Sequence, residues 1–252
     1  MDLTAQGEID EQEGKIFYRN EKTFAFLLNS NGLGLNYRYA RRMDAFRKTI
    51  YDFDLVSIKH PKEVKTPTSQ YYFNKRIIYG KLNEFYNFRA GIGLQDEMFQ
   101  KRDKGGISIR RYFSFGPVVG ITKPIYYIIG IDSNGDAQFD SEIVEKFNTN
   151  QHLQTYTIKS KASYFKGFDE ISLIPGLYGK LGMMFEFSKS DKVVHALDGG
   201  IIVDGFIKKV PIMATESNNR FFLTLFVSYR FGRVIDVRFK QKKSGIDELL
   251  TQ

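Results

Sequence analysis

The sequence predicts an all-β protein, an antiparallel up-and-down transmembrane β-barrel of about eight strands with long outer loops. Two observations lead to this fold class. Stretches in which apolar and mixed residues alternate recur along the chain, with the two-residue period of a β-strand. The linkers between these stretches are, with one exception, alternately long and short. One end of the barrel would therefore carry the long loops and the other end the short turns.

The clearest strand is the last one, R-F-F-L-T-L-F-V-S-Y-R-F-G, at residues 220–232. Leu223, Leu225, Val227 and Tyr229 share one face, whereas Arg230 lies on the mixed face with a threonine and a serine. A tilted strand needs about 9–11 residues to cross a bilayer. The stretch is therefore long enough to span a membrane, with its apolar face toward lipid.

Seven earlier stretches show the same alternation. They cover residues 22–29, 33–41, 49–58, 83–94, 107–119, 177–187 and 193–206. Ser30-Asn31-Gly32 is typical of a tight hairpin between the first two strands. An even number of strands places both chain ends on the same side of the membrane, which we expect to be the periplasm.

The linkers then fall into two sets. Linkers 30–32, 59–81, 122–175 and 207–219 would face outward, and linkers 42–48, 95–105 and 188–192 would face the periplasm. All outward linkers except the first hairpin are long. The longest, 122–175, is too apolar to be wholly unfolded; we expect strand extensions there and a short helix near 141–147.

Composition agrees with a membrane barrel and excludes several other classes. Aromatic residues make up 15% of the 252 residues, although Trp is absent. Without any Cys, disulfides, thiol nucleophiles and Cys-ligated zinc are excluded. The formal charge of +8 is spread along the chain, so we predict no nucleic-acid partner. No apolar run approaches the length of a transmembrane helix.

The apolar faces supply the residues that we expect to contact lipid. They are Leu33, Leu35, Tyr37, Tyr39, Phe88, Ile92, Leu181, Phe185, Leu223, Leu225, Val227 and Tyr229. Arg111 interrupts one of these faces, and it is tolerable there only near the membrane edge, where its head can reach the interface.

The opposite faces carry charges of both signs. They are Arg38, Asp52, Asp54, Arg89, Arg110, Lys180, Glu186, Asp198, Asp204 and Arg230. The interior of an eight-strand barrel is filled by its own side chains, and charges there are costly unless they are paired. We therefore predict a closed lumen with an ion-pair network. The alternative is a soluble sheet with these charges in water.

Catalytic and metal signals are weak. Asp132, Asn134 and Asp136 resemble the beginning of a calcium loop, but the later positions do not fit, and a polar turn is the simpler interpretation. His152 with Ser160 or Ser163 imitates the pair found in some outer-membrane lipid enzymes. We predict no cofactor, no metal site and no enzymatic activity.

The Y-R-F-G ending and the alternating strands resemble the small outer-membrane β-barrels of the OmpA and OmpX type, in the version common among Bacteroidetes-type envelopes. The resemblance covers roughly residues 23–232. It implies an outer-membrane protein without a cofactor, acting in envelope structure or as a subunit of an envelope or secretion complex. Its partners would be outer-membrane lipid and an envelope protein bound through 122–175.

The resemblance also sets the expected domain limits. Residues 1–21 would hold a signal-peptide remnant and an acidic lead-in, 22–232 the barrel, and 233–252 a basic periplasmic tail. Two alternatives remain. A soluble lipocalin-like ligand-binding barrel would bury the apolar faces and expose the charges. A small outer-membrane lipid-modifying enzyme would use His152.

Overall fold

The computed structural model of the protein describes residues 19–67, 76–101, 105–131, 140–148, 158–190, 192–214 and 218–236. The strands are β1 Arg19–Asn29, β2 Gly32–Arg42, β3 Arg47–Ile58, β4 Lys65–Pro67, β5 Arg76–Ile78, β6 Asn83–Phe99, β7 Ser108–Pro124, β8 Tyr126–Ile131, β9 Ser141–Lys146, β10 Ile158–Lys161, β11 Ser172–Glu186, β12 Val193–Phe206 and β13 Phe221–Asp236. No helix within the described ranges is both long enough and apolar enough to span a membrane.

Eight of these strands form a closed antiparallel barrel in the order β1-β13-β12-β11-β7-β6-β3-β2. The first and last strands close it, with a register that runs from Arg19 opposite Asp236 to Asn29 opposite Phe226. Closure leaves the barrel no open sheet edge. The predicted fold class, an antiparallel eight-strand barrel, is therefore confirmed.

The two ends of the barrel differ. The terminal end carries Arg19, Asp236 and the short linkers 43–46, 100–107 and 187–192. The loop end carries the hairpin turn at Ser30 and Asn31 and the longer linkers 59–82, 125–171 and 207–220. The predicted division into turns at one end and loops at the other is confirmed.

The strands reach further toward the terminal end than the apolar alternation indicates. β6 and β7 have 17 residues each. Residues 95–99, which were expected in a turn, continue the ladder, with Gln95 opposite Tyr112 and Glu97 opposite Arg110. Ladder hydrogen bonds do not require apolar side chains, so the strands extend beyond the part of the wall that is apolar.

Small sheets decorate the loop end. β4 pairs with β5 inside the predicted loop 59–81, and β8 lies between β10 and β9 in a three-stranded sheet. The expected helix near 141–147 is wrong, because residues 141–146 form the edge strand β9. Ile143 and Val144 lie opposite Ile129 and Ile128 of β8. β-branched side chains favour such a pleated surface over a helix.

Candidate functional site

The lumen of the barrel holds the candidate site. All ten charged residues expected there lie inside and are buried, namely Arg38, Asp52, Asp54, Arg89, Arg110, Lys180, Glu186, Asp198, Asp204 and Arg230. They come from seven of the eight barrel strands. Even-numbered positions point inward on β2, β3, β7, β11, β12 and β13, and odd-numbered ones on β6, which is the consequence of the two-residue strand period.

The middle of the lumen contains a chain of alternating charges. Arg38 donates from Nε and Nη2 to the two oxygens of Asp52, at 2.6 and 2.9 Å. The Nζ of Lys180 lies 3.4 Å from Asp52 and 3.1 Å from Asp54. Asp54 in turn lies 3.7 Å from Arg89, whose Nε and Nη2 both donate to Asp204 at 2.6 Å. Bidentate pairing of this kind fixes the position of both partners.

A second pair lies beside this chain. Arg230 donates from Nε to Asp198 at 2.8 Å and from Nη1 to the hydroxyl of Thr23 at 2.9 Å. The guanidinium of Arg38 is stacked over the ring of Tyr112, 3.9 Å from its centroid. Carboxylates and cations thus alternate across the lumen, and this alternation offsets the cost of removing each charge from water.

The terminal end of the lumen has its own ion cluster. Arg110 contacts Glu21 at 3.2 Å, Glu97 at 3.6 Å and Glu186. Lys48 also binds Glu21, and Lys101 lies 3.1 Å from Glu186.

Four members of this cluster were not anticipated, namely Glu21, Lys48, Glu97 and Lys101. The first three lie in strand extensions and the last in a linker. Along each strand every second residue points into the lumen. Continuing this alternation beyond the apolar part of the strand would have identified the first three.

The loop end of the lumen is apolar. The rings of Phe85, Phe206 and Phe222 meet with centroids 5.6–5.9 Å apart. Above them the described part of the linker after β12, residues 207–214, folds inward and buries Val210 and Ile212 completely. We call this loop-end cluster the apolar plug; it comprises Phe85, Phe206, Phe222, Val210, Ile212 and Met213. Buried ion pairs thus cross the middle and the terminal end of the lumen, and the apolar plug lies at its loop end.

The outer wall is the reverse of the lumen. Leu33, Leu35, Phe88, Ile92, Leu181, Phe185, Leu223, Leu225, Val227 and Tyr229 are exposed, and Tyr37 and Tyr39 are partly exposed. In water so large an apolar surface would drive aggregation, whereas hydrocarbon is its natural surrounding. The soluble lipocalin-like alternative required the opposite placement of Tyr37, Leu225, Arg38 and Arg89.

The terminal end of the outer wall has the features of a membrane boundary. Tyr39 and Tyr51 stack with ring centroids 6.2 Å apart, and Tyr229 stacks on Phe231 at 6.3 Å. At and beyond this aromatic girdle the exposed side chains include five cations, together with apolar residues such as Phe46 and Phe99. The cations are Lys22, Arg41, Arg47, Arg111 and Arg233. Aromatic residues favour the headgroup level of a membrane, and cations favour anionic lipid.

The three-stranded sheet at the loop end shares a small core with β5, in which Ile129, Phe147 and Ile158 are buried with Tyr127 and Ile77. The hydroxyl of Tyr127 donates to the carbonyls of Ile78 and Lys81, and burial raises the pKa of Tyr127.

An exposed ion pair joins this sheet to the short 3-10 helix Phe168–Glu170. The Lys146 ammonium and the Tyr126 hydroxyl bind Glu170 and lower the pKa of that carboxyl.

The weak metal candidates of the sequence and the histidine of the weak catalytic pair fall in parts of the chain that the structure does not describe. Asp132, Asn134, Asp136 and His152 lie outside the described residues. His195 lies on the outer wall, with Nδ1 2.9 Å from the Tyr229 hydroxyl. Among the described residues no three His, Asp or Glu side chains are grouped as metal ligands.

A closed eight-strand barrel with an apolar outer wall, an aromatic girdle and a charged lumen is an outer-membrane β-barrel, and its location is the outer membrane. No protein-family model and no curated protein matches the chain.

Solved structures with a detectable likeness include three bacterial proteins. Neisserial surface protein A is 10% identical, with 85% of this chain and 95% of that chain covered and a TM-score of 0.34. The N-terminal β-barrel domain of Pseudomonas aeruginosa OprF is 8% identical, with 84% and 97% covered and a TM-score of 0.31. Outer membrane protein OprG from the same organism is 12% identical, with 86% and 92% covered and a TM-score of 0.28. The class assignment rests on the geometry of the barrel itself.

Proposed function

We propose that this protein is a non-conducting, non-catalytic outer-membrane barrel that anchors a loop-end binding surface for an envelope protein. The observation that supports the proposal is a lumen crossed by buried ion pairs and covered at its loop end by the apolar plug. Arg38, Asp52, Arg89 and Asp204 cross its middle as hydrogen-bonded pairs, and the apolar plug covers its loop end. A lumen packed in this way leaves the outer wall and the loop end as the surfaces that contact other molecules.

The loop end supports a binding role. β9 is an edge strand of its small sheet and pairs only with β8 among the described strands. Its Ile143 and Val144 are exposed, and an exposed strand edge with apolar side chains is a site at which another protein can add a strand. We infer that an envelope protein, in a structural or secretion complex of a Bacteroidetes-type envelope, binds the surface formed by 122–175.

Conductance tests the first half of the proposal. The refolded full chain is inserted into planar bilayers, and sugar uptake by proteoliposomes is measured in parallel. We expect no stepwise conductance and an uptake rate equal to that of protein-free vesicles. Stable channels, or uptake that scales with the amount of protein, would contradict a closed lumen.

Crosslinking in intact cells tests the second half. A photo-crosslinking amino acid at Val144 should attach to a protein of defined mass. The same amino acid at Leu197, on the outer wall, should attach to lipid only. If Val144 yields no protein adduct, or the same adducts as Leu197, the proposed binding surface is wrong.

A further inference from the structure

The outer wall contains a depression on the terminal-end half of the barrel, where β7, β11 and β12 lie side by side. Its volume is about 730 Å³, and it is lined by Phe113, Leu181, Met183, Phe185 and Ile201 together with Arg111. We call it the wall groove. Its volume falls within the range of about 300–1,000 Å³ that is usual for small-molecule sites. Its lining is apolar except for charges on one side.

A glycine produces the depression. Arg111, Met183 and Gly199 lie in one row across the three strands. Gly199 lies at an outward position of β12, and a Cβ built there would meet nothing nearer than the Phe226 carbonyl oxygen, at 3.8 Å. The missing side chain therefore leaves a notch between outward neighbours rather than relieving a clash.

The charged side chains beside the groove carry a net positive charge. Arg111 donates from Nε to Asp96 at 3.3 Å, and Arg47 lies 3.7 Å from the same carboxylate. Two guanidinium groups thus share one carboxylate on the outer wall. Both arginine side chains are about two-thirds exposed, at 66% and 65%. They lie at the membrane boundary defined by the girdle, where the phosphates of the adjacent leaflet are found.

We propose that the wall groove binds one acyl chain of a phospholipid from the leaflet at the terminal end, and that Arg111 binds the phosphate of this lipid. An acyl chain gains little hydrophobic free energy by leaving bulk hydrocarbon for an apolar wall. Its retention therefore depends on how well the chain fills the notch at Gly199 and on the headgroup contact. This assignment also gives a role to Arg111, which interrupts an otherwise apolar face.

The test uses the full chain refolded in vesicles of phosphatidylcholine and phosphatidylglycerol, with a trace of phosphatidylglycerol that carries a photoreactive diazirine in one acyl chain. Crosslinked peptides are located by mass spectrometry. We expect adducts to concentrate on residues 181–201 of β11 and β12. Adducts spread evenly around the barrel wall would overturn the proposal.

Filling the notch provides the matched comparison. Gly199→Leu should remove most of the crosslinking to 181–201. Gly179→Leu is the control, because Gly179 also lies at an outward position, has no atom within 4 Å of its added Cβ, and does not line the groove. Both variants should refold to a heat-modifiable band like the parent chain. Equal crosslinking in the two variants would overturn the proposal.

The phosphate contact is tested separately. Arg111→Gln should lower crosslinking by the phosphatidylglycerol probe about fivefold, the size expected for one arginine acting on an anionic headgroup. Arg111→Lys should retain most of it. Because Arg111 is exposed, these variants remain informative even if Gly199→Leu does not fold. Undiminished crosslinking in Arg111→Gln would overturn the role of Arg111.

Discussion

Arg89 shows why the lumen charges occur in pairs. Its guanidinium is fully buried and donates twice to Asp204, while Asp54 lies 3.7 Å away on the other side. An isolated charge in such a place would reduce the free energy of unfolding by several kcal/mol, whereas the attraction within a hydrogen-bonded pair offsets most of that loss. The stabilising unit is therefore the pair and not either residue alone.

Replacement of one partner should thus be worse than replacement of both. Arg89→Leu or Asp204→Leu leaves an uncompensated buried charge and should lower the free energy of unfolding by about 3–5 kcal/mol. The double variant should lose clearly less free energy of unfolding than the sum of the losses in the two single variants. Urea unfolding in lipid vesicles, followed by circular dichroism, measures all three; additive losses would show that the two side chains do not act as a unit.

Asp44 makes a pH-dependent contribution at the terminal end. Its carboxylate accepts hydrogen bonds from the backbone N–H groups of Phe46 and Arg47, at 2.8 and 2.7 Å, and these bonds lower its pKa from the ordinary value of 3.8. A carboxyl with a depressed pKa in the folded state stabilises above its unfolded pKa and loses that contribution as the pH falls.

Asp44→Ala should therefore reduce the urea midpoint at neutral pH, and the difference from the parent chain should shrink as the pH falls below about 4. Thr49→Ala, on the neighbouring strand, removes a group that does not titrate and serves as the control. A difference for Asp44→Ala that stays constant down to about pH 3 would show that the ionised carboxylate is not the cause.

The charged residues illustrate how far the sequence predicts the lumen. Arg38, Asp52 and Arg230 lie in cleanly alternating stretches, so their inward orientation follows from parity alone. Their partners do not follow, because pairing depends on the register between strands and across the barrel. Glu21 and Lys48 lie where the apolar signal has already ended, and a prediction based on apolar alternation therefore misses them.

Among the strands and linkers, the unit between β7 and β11 packs Ile129, Phe147, Ile158 and Tyr127 against Ile77 of β5, in a core separate from that of the barrel. β7 and β11 pair directly, from Ser108 opposite Glu186 to Thr122 opposite Ser172. The barrel wall therefore does not need the unit for closure.

Replacement of residues 126–170 by a short turn sequence should leave the barrel able to refold and insert. Heat-modifiable migration on a gel and β-sheet circular dichroism in vesicles check this. The control is deletion of β13, which removes the strand that closes the barrel and should abolish insertion. Failure of the turn variant to insert would show that the loop-end unit is required for the fold.

The wrong helix near 141–147 has a physical explanation in this same unit. Its residues, S-E-I-V-E-K, contain acceptable helix formers, and the local pattern is ambiguous over so short a run. Pairing of Ile143 and Val144 with β8 makes this segment a strand. Because β8 lies outside the segment, the sequence of residues 141–146 alone does not reveal this pairing.

For the molecule as a whole, strand number, closure and the asymmetry of the two ends follow from features that repeat along the sequence. Alternation fixes which face of each strand is apolar, and an even strand count brings both ends of the barrel chain to one side. The apolar plug does not follow from such repetition. Residues 207–214 fold inward because Val210 and Ile212 pack in one apolar cluster with Phe85 and Phe206.

The orientation of the strand faces in a membrane decides most directly whether this barrel has its apolar wall in lipid. The chain contains no cysteine, so single-cysteine variants can be spin-labelled without background. Labels at Leu35→Cys and Leu225→Cys should be accessible to oxygen dissolved in the bilayer and shielded from a water-soluble nickel complex. Labels at Ser114→Cys and Ser228→Cys, inside the lumen, should be shielded from both. Access of the nickel complex to Leu35 and Leu225 would contradict an outer wall in contact with lipid.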